Sequence, residues 1–243
     1  MVKKIHYIWL GGKRKPRVIQ RCIRSWKEHM PDWDIIEWNE SNVDLDIDLF
    51  CRQAYNAGKY AFASDVLRFH ILYQEGGLYF DTDVKLLRSM EPLAREQEAF
   101  SGYELSGRVN PGVALYCAEP GNPIVGEMLD RYARQRFLKE DGSYDLKVVG
   151  AHFGQVLEKY GFTEGDKLIR CGSFTIYPAT YFSPKDDLNR IQNFTENTYS
   201  VHLYAASWTS PKRKFTMFFK RAIYALFGAE TVQRMKRILR WRK

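Results

Sequence analysis

Short runs rich in β-branched and aromatic residues alternate along this chain with segments of helical periodicity. The strand-like runs cover residues 5–10, 35–38, 78–84, 113–117, 174–177 and 200–204. Between them, apolar residues recur at helical spacing, first at Val18, Cys22 and Trp26 and later at Phe62, Val66, Phe69 and Tyr73. Regular alternation of strand and helix is typical of a layered α/β domain. The 243 residues, of which 45% are hydrophobic, suffice for one main domain with a large core.

Proline and glycine predict turns or loops at residues 30–34, 119–123 and 177–184. The four cysteines, Cys22, Cys51, Cys117 and Cys171, are widely spaced and lie near no histidine cluster. This spacing suggests neither a zinc knuckle nor a dense disulfide scaffold, and it indicates reduced thiols in a cytosolic protein. The short apolar run after two lysines does not resemble a signal peptide, and no run reaches the ~18 apolar residues of a membrane span. We therefore expect a soluble or peripheral protein.

The net charge of +8 is concentrated at the C-terminus. Residues 211–243 hold 11 Lys and Arg against one acid, whereas the 210 residues before them hold 26 basic and 28 acidic residues. A body without basic excess is not expected to bind nucleic acid. We predict a domain boundary near residue 210.

The segment 211–243 combines basic residues with apolar residues at helical spacing, namely Phe215, Phe218, Phe219, Ile223 and Leu226. A basic amphipathic helix of this kind is typical of attachment to an anionic membrane surface. The alternative is a helix that packs on the body with its basic side in water.

Two carboxylates, Asp81 and Asp83, follow the Gly76-Gly77 pair in the run GGLYFDTDV. If residues 78–84 form one strand, then Tyr79, Asp81 and Asp83 share a face. Carboxylates so close repel each other unless a cation or proton intervenes, and Mg²⁺ or Mn²⁺ prefers such oxygen ligands. Strand ends are also where α/β sheets bind ligands.

The pattern at Asp81 and Asp83 fits two chemistries. A metal held there would bridge the diphosphate of a nucleotide-sugar. Alternatively, Asp81 would attack phosphorus and Asp83 would act as acid and base, as in haloacid-dehalogenase-like phosphatases. Those phosphatases carry the motif on their first strand, whereas here at least two other strands precede it, so the first chemistry is favoured.

An amphipathic helix is predicted from about Ala61 to the Gly76-Gly77 pair. Asp65 and Arg68 are three residues apart and therefore share a face, away from the apolar stripe. Taken alone, the pair is also explained as an ion pair on the protein surface.

Several segments resemble, in order and spacing, glycosyltransferase family 32. They are IHYIWLGG (5–12), SWKEHMPDWDIIEWNE (25–40), AYNAGKYAFASDVLRFHILYQEGGLYFDTDV (54–84), IYPATYFSP (176–184) and YSVHLYAASW (199–208). The family includes bacterial capsule and lipooligosaccharide transferases, and the catalytic domains of clostridial glucosylating toxins are similar. The resemblance implies a GT-A fold, which is Rossmann-like with a mostly parallel central sheet flanked by helices. It also implies a DxD metal site with Mn²⁺ or Mg²⁺ and retention of anomeric configuration.

The resemblance also assigns donor-binding roles. Trp9 would stack on the base, Asn39 would contact the nucleoside, and Ser64, Asp65 and Arg68 would grip the sugar and diphosphate. The alternative for Trp9 is a core residue, and Asn39 after a strand is equally a turn residue.

Asp83 would bind the metal directly, Asp81 would contact the ribose or the metal, and Tyr79 would line the pocket. His202 is the expected third metal ligand, although a histidine packed in a strand is the alternative. Ser207 and Trp208 would close over the donor. The expected catalytic set is Asp65, Arg68, Asp81, Asp83 and Trp208.

Acceptor recognition is the least specified part of the sequence. Glu104 and Asn110 are candidate acceptor contacts in the segment 103–123, and the family's Thr-Gly-Pro is replaced here by VVGAH at 148–152. The expected activity is transfer from a nucleotide-sugar, UDP-linked in the first instance, to a glycan or lipid-linked acceptor in bacterial surface polysaccharide synthesis. The enzyme would work in the cytoplasm at the inner face of the membrane. The alternative to an active transferase is an inactive sugar-nucleotide-binding protein.

Overall fold

The computed structural model describes residues 1–186 and 191–205. The predicted tail at 211–243, with Ser207 and Trp208 before it, lies outside the described residues. Eleven strands occur in the described part: β1 Lys4–Ile8, β2 Asp34–Trp38, β3 Gly77–Tyr79, β4 Val84–Leu86, β5 Ala99–Gly102, β6 Leu115–Cys117, β7 Ile169–Cys171, β8 Phe174–Tyr177, β9 Lys185–Asp186, β10 Ile191–Gln192 and β11 Ser200–His202. The α-helices described are α1 Arg17–His29, α2 Leu49–Asn56, α3 Tyr60–Glu75, α4 Glu91–Glu96, α5 Pro123–Ala133, α6 Val149–Leu157 and α7 Ala179–Phe182.

Seven strands form a central mixed sheet in the order β2-β1-β3-β6-β5-β8-β7. Strands β2, β1, β3, β5 and β8 run in one direction, whereas β6 is antiparallel to both of its neighbours and β7 to β8. A second, two-stranded sheet pairs β4 with β11 antiparallel. This mostly parallel sheet flanked by helices confirms the predicted α/β architecture.

Apolar residues fill both faces of the central sheet. One core lies around α3 and includes Phe50, Phe69 and Phe153. The other lies around α1 and includes Trp26, Phe80 and Phe100. The indole Nε1 of Trp26 donates to the carbonyl of Val84 at 2.8 Å, which fixes α1 against β4.

Helix α3 begins and ends close to the predicted residues, but it is not amphipathic. It is buried on more than one side, and its buried residues include Val66 and Phe69 as well as Asp65 and Arg68. The explanation of Asp65 and Arg68 as a surface ion pair is therefore wrong. At the end of α3, Gly76 has φ of 64°, a left-handed conformation that glycine adopts at little cost.

Two predicted boundaries are wrong. Residues 78–84 do not form one strand, because β3 ends at Tyr79 and β4 begins only at Val84. Residues 177–184, predicted as a loop, contain the short helix α7. Four strands, β5, β7, β9 and β10, lie outside every predicted run.

The four cysteines are buried free thiols, as predicted. Burial raises the pKa of each of them, in the case of Cys171 to about 11. Within the ranges 1–186 and 191–205, no helix is long and apolar enough to cross a membrane.

Candidate active site

The two aspartates lie in a turn that leaves the carboxyl end of β3. The backbone N–H of Phe80 donates to the carbonyl of His6 on β1 at 3.1 Å, and the N–H of Val84 donates to the carbonyl of Asp81 at 3.0 Å. The predicted alternation of side chains along one strand is therefore wrong. The turn instead places Asp81 and Asp83 together at the edge of the sheet where ligands of α/β proteins bind.

His202, at the end of β11, lies against this turn. Its Nε2 is 3.1 Å from Asp83 Oδ1 and 3.8 Å from Asp81 Oδ2. One ligand atom from each of the three residues lies within 4.8 Å of the other two. The pairing of β11 with β4 creates this cluster, because it places His202 opposite Val84.

Each carboxylate uses one oxygen to bind protein and presents the other toward His202. Asp81 Oδ1 accepts from the Tyr79 hydroxyl at 3.0 Å and lies 3.2 Å from Arg68 Nη1. Asp83 Oδ2 accepts from the backbone N–H of Ala205 at 2.7 Å. The oxygens that remain, Asp81 Oδ2 and Asp83 Oδ1, are oriented by these contacts in the way that outer hydrogen bonds orient metal ligands.

The donor set of this cluster fits a divalent cation. Both ring nitrogens of His202 are buried, and neither has a partner with hydrogen-bond geometry among the described residues. A buried imidazole nitrogen between two carboxylate oxygens is the nitrogen and oxygen environment that Mn²⁺ accepts, and Mg²⁺ accepts the carboxylates.

The neighbouring carboxylates strongly affect the pKa of His202. Burial alone would lower the pKa of His202, but the carboxylates of Asp83 and Asp81 outweigh it and raise that pKa to about 10. Burial acts to raise the pKa of Asp83, yet the adjacent His202 and the N–H of Ala205 leave it below its usual range. The two carboxylates therefore require positive charge, which a proton on His202 or a bound cation supplies.

Arg68 connects α3 to the cluster. Its Nη2 donates to Asp65 Oδ1 at 2.6 Å, its Nε donates to the carbonyl of Ser64 at 3.2 Å, and its guanidinium lies 4.9 Å from the centre of the Tyr79 ring. Nη1, which faces Asp81, has no partner of hydrogen-bond geometry among the described residues. This buried guanidinium therefore pairs with Asp65 and Asp81 and retains an N–H donor for a ligand.

Asp65 is almost fully buried, and burial is the main reason that its pKa rises to about 7. Asp81 adds to the rise and Arg68 opposes it. Burial also raises the pKa of the Tyr79 hydroxyl well above its usual value, so Tyr79 acts as a neutral donor to Asp81. In the described part of the chain, Arg68 is the sole hydrogen-bond partner of the Asp65 carboxylate, which leaves Oδ2 available to a ligand.

Gly112 packs directly against Asp81. Its carbonyl accepts from the backbone N–H of Asp81 at 3.0 Å, and a Cβ at this position would lie 2.2 Å from Asp81 Oδ2. Asn110 holds the same turn, since its Oδ1 accepts from the N–H of Gly112 at 2.9 Å and its Nδ2 donates to Glu104 at 3.4 Å. Glu104 and Asn110, expected to contact an acceptor, therefore have partners within the protein.

The structure also locates the other predicted donor residues. Trp9 follows β1 at the same end of the sheet, half-buried, with its Nε1 donating to the carbonyl of Lys13 at 2.6 Å. The Asn39 side chain accepts from the backbone N–H of Ser41 at 2.9 Å and so stabilises a turn after β2. The Ser64 hydroxyl donates to the carbonyl of Tyr60 at 2.9 Å, within α3.

Sequence reasoning missed two residues of this site, Gly112 and Tyr204. Tyr204 has φ of 46°, and among the described residues it is the one non-glycine residue with positive φ. Its ring packs edge-on against His202 at 4.1 Å between centroids, and the next residue, Ala205, holds Asp83. No local pattern signals this conformation, which is costly for a bulky residue and is typical of functional sites.

Residues 16–100 match a family model described as the glycosyltransferase sugar-binding region containing a DXD motif. This range includes α3, the Asp65 and Arg68 pair and both aspartates of the turn. The matched range is 85 of the 243 residues, about a third of the chain. The predicted resemblance to DXD-containing sugar transferases is thereby confirmed, and the match favours a transferase over the phosphatase alternative.

A curated relative, "Subversion of eukaryotic traffic protein A" of Legionella pneumophila, is 29% identical over 160 residues, or 53% of this chain. The chain spans about a quarter of the length of that relative, 24%.

Three solved structures are similar at low identity. "PaToxG Glycosyltransferase" has 21% identity and a TM-score of 0.49, with 65% of this chain and 69% of that chain covered. A glycosyltransferase involved in glycosylation of the major capsid of PBCV-1 has 10% identity and a TM-score of 0.45, with 88% and 98% covered. An active-site mutant of LgtC has 12% identity and a TM-score of 0.42, with 88% and 94% covered.

Proposed function

We propose that this chain is a DXD glycosyltransferase that transfers a sugar from a nucleotide-sugar, a UDP-sugar in the first instance, to a hydroxyl of a glycan or lipid-linked acceptor in surface polysaccharide synthesis. The observation that carries the proposal is the meeting of Asp81, Asp83 and His202 beside Arg68. Three metal-ligating groups and a buried guanidinium at one sheet edge suit a diphosphate, which carries negative charge and binds both metals and arginine.

We assign the metal to Asp83 and His202 as direct ligands, with Asp81 as a further ligand or as the partner of the ribose. When bound, Mn²⁺ or Mg²⁺ would neutralise the charge of the diphosphate leaving group. Arg68 Nη1 would donate to the same diphosphate, where negative charge grows as the glycosidic bond breaks. Asp65 Oδ2 would accept from a sugar hydroxyl and so orient the ring.

The proposed reaction retains the configuration of the anomeric carbon. The bond between that carbon and the diphosphate oxygen breaks, and the electron pair leaves with the phosphate. The acceptor oxygen then bonds to the same face of the carbon, and its proton passes to an oxygen of the departing phosphate. A covalent glycosyl-enzyme trapped on this chain would contradict the mechanism.

Trp9 would stack on the base and Asn39 would contact the nucleoside, in keeping with their positions after β1 and β2. Tyr79 would line the pocket, and Ser64 would hold Arg68 through its carbonyl. Ser207 and Trp208, outside the described residues, would close over the donor. Glu104 and Asn110 are proposed on the acceptor side.

The proposal is tested by thermal shift with UDP-sugars and GDP-mannose, with Mn²⁺ and with EDTA. A UDP-sugar is expected to stabilise the protein with Mn²⁺ and to lose this effect in EDTA, because the diphosphate binds through the metal. Stabilisation by phosphomonoesters alone would instead support the phosphatase. Binding without donor hydrolysis or transfer to any acceptor would support the inactive sugar-nucleotide-binding protein.

Replacement of Asp83 by Asn should abolish the Mn²⁺-dependent stabilisation and reduce donor hydrolysis by more than ~100-fold. Loss of a residue that only supports a metal ligand already costs ~10- to 100-fold, and Asp83 is proposed as a ligand itself. The reason is that Asn keeps the size of the side chain and removes the anionic ligand. Asp130→Asn, an exposed change on α5, is the matched control. Equal Mn²⁺-dependent hydrolysis by D83N and D130N would refute the metal assignment.

A further inference from the structure

Helix α1 carries a row of arginines on the face opposite its buried side. Ile19, Cys22, Ser25 and Trp26 are buried, whereas Arg17, Arg21 and Arg24 are exposed. Residues at this spacing lie along one side of a helix, so the three guanidiniums extend over about two turns. Between them and Gln20 lies an open cleft of ≈ 370 Å³.

The row has no acidic partner within 4 Å among the described residues. Nearby Lys15, by contrast, pairs with Glu37 at 2.6 Å. Glu28 is also exposed, and it lies beyond Arg24 toward the end of the helix. The arginines therefore present positive charge that the described surface does not neutralise.

The arrangement weakens the helix that carries it. Like charges three and four residues apart repel each other, and Arg17, in the first turn, opposes the helix dipole. The first turn of α1 contains no acid, and Pro16 gives no side-chain cap. Local features that conflict with the fold are most often found where a surface has a function.

The positive charge is local to this part of the body. Residues 13–27 contain seven of the 26 basic residues that precede residue 211, and no acid. The rest of the body is acidic in balance, with 19 basic and 28 acidic residues. Strand β4 packs against α1 and adds the exposed Lys85 beside the row. Lys85 and Arg21 are both close enough to the buried Cys22 to lower the pKa of its thiol.

From this charged face we infer that α1 docks on an anionic phospholipid surface through Arg17, Arg21 and Arg24. A row of guanidiniums over an open cleft fits many phosphate groups spread over a plane better than one enclosed ligand. This inference concerns residues of α1 alone and does not depend on the proposed metal chemistry. It would place the carboxyl edge of the sheet near the membrane, because α1 begins at that edge.

The test is co-sedimentation of the full chain with vesicles of neutral phospholipid, and with vesicles that also contain phosphatidylglycerol, at low and high salt. The triple variant R17Q/R21Q/R24Q is expected to bind the anionic vesicles at least about tenfold more weakly, since each basic group near such a surface contributes to attachment. High salt should remove most of the difference.

Two further variants make the result specific. R17K/R21K/R24K keeps the charge and should keep the binding, which excludes a purely structural effect. R134Q/R136Q/R170Q has the same net charge as the glutamine triple variant but alters exposed arginines elsewhere, and it should bind like the native chain. Equal binding by the two glutamine triple variants would overturn the inference.

Donor hydrolysis without vesicles, measured in parallel, should be the same in R17Q/R21Q/R24Q as in the native chain. A native chain that hydrolyses no nucleotide-sugar would count against the proposed function, and the vesicle binding would still decide the role of α1.

Discussion

At the scale of single residues, the site is built from two carboxylates that each use one oxygen to contact the protein and present the other toward His202. Asp81 is held by Tyr79 and Arg68, and Asp83 is held by Ala205. The free oxygens face His202, and their separation depends on small groups beneath them. The proposed function therefore makes metal affinity sensitive to residues that would not themselves contact the metal.

Gly112→Ala is expected to lower the affinity for Mn²⁺ by about tenfold or more, because a Cβ would displace Asp81 Oδ2. Calorimetric titration with Mn²⁺ measures this directly. Gly165→Ala is the control, since a Cβ there has no heavy atom within 4 Å. Unchanged affinity in G112A would show that Asp81 does not contribute to the metal site.

Arg68→Met is expected to destabilise the protein by about 3–5 kcal/mol, because it leaves the buried Asp65 carboxylate and the half-buried Asp81 carboxylate uncompensated. The double variant D65N/R68M should be more stable than R68M, since one of those charges is then gone. Urea unfolding at pH 8 measures both, with Gln74→Met as an exposed control on α3. A double variant less stable than R68M would show that uncompensated charge at Asp65 does not cause the loss of stability in R68M.

At the scale of elements, His6 joins three parts of the fold. On β1, its Nδ1 accepts from Trp38 Nε1 of β2 at 3.0 Å. Its Nε2 lies 3.0 Å from the carbonyl of Gly76, at the end of α3, and donates to it. The bond from Trp38 requires an unprotonated Nδ1, which the neutral ring provides, and burial lowers the pKa of His6 to about 4.

The contribution of His6 to stability should be fully present above about pH 6.5 and decrease as the pH falls toward 4. In this range the unfolded chain binds the proton before the folded chain does. Between pH 6.5 and pH 5 the native chain should lose about 1.5 kcal/mol more of its free energy of unfolding than His6→Gln does. Urea unfolding at several pH values tests this, and parallel pH profiles would contradict it.

At the scale of the whole molecule, the edge of the sheet joins residues from the beginning, middle and end of the described chain. Trp9, the β3–β4 turn and β11 all lie there, and the described chain ends at residue 205, next to the site.

Residues 211–243 are proposed to form a basic amphipathic helix that binds an anionic membrane. Removal of these residues should therefore reduce sedimentation with anionic vesicles, and the remainder should depend on the arginines of α1. The full chain with Phe218→Ala and Phe219→Ala separates the apolar from the basic contribution. Equal sedimentation of the truncated and the full chain would contradict this proposal.

The sequence by itself determined the features that depend on neighbours in the chain. Helical spacing of apolar residues located α1 and α3, glycine marked the end of α3, and β-branched runs located β1, β2 and β8. Two adjacent carboxylates also implied a compensating cation, whatever the surrounding fold. The resemblance supplied residue roles, such as that of His202, which the local pattern left open.

The tertiary structure alone decided how these parts meet. It broke the expected strand into a turn at Asp81 and Asp83, buried Arg68 between two carboxylates, and brought Ala205 to Asp83 from 122 positions away. Periodicity records only which side of an element faces the core. Contact between distant residues depends instead on the pairing of β11 with β4 and on the absence of a side chain at Gly112, neither of which has a local signature.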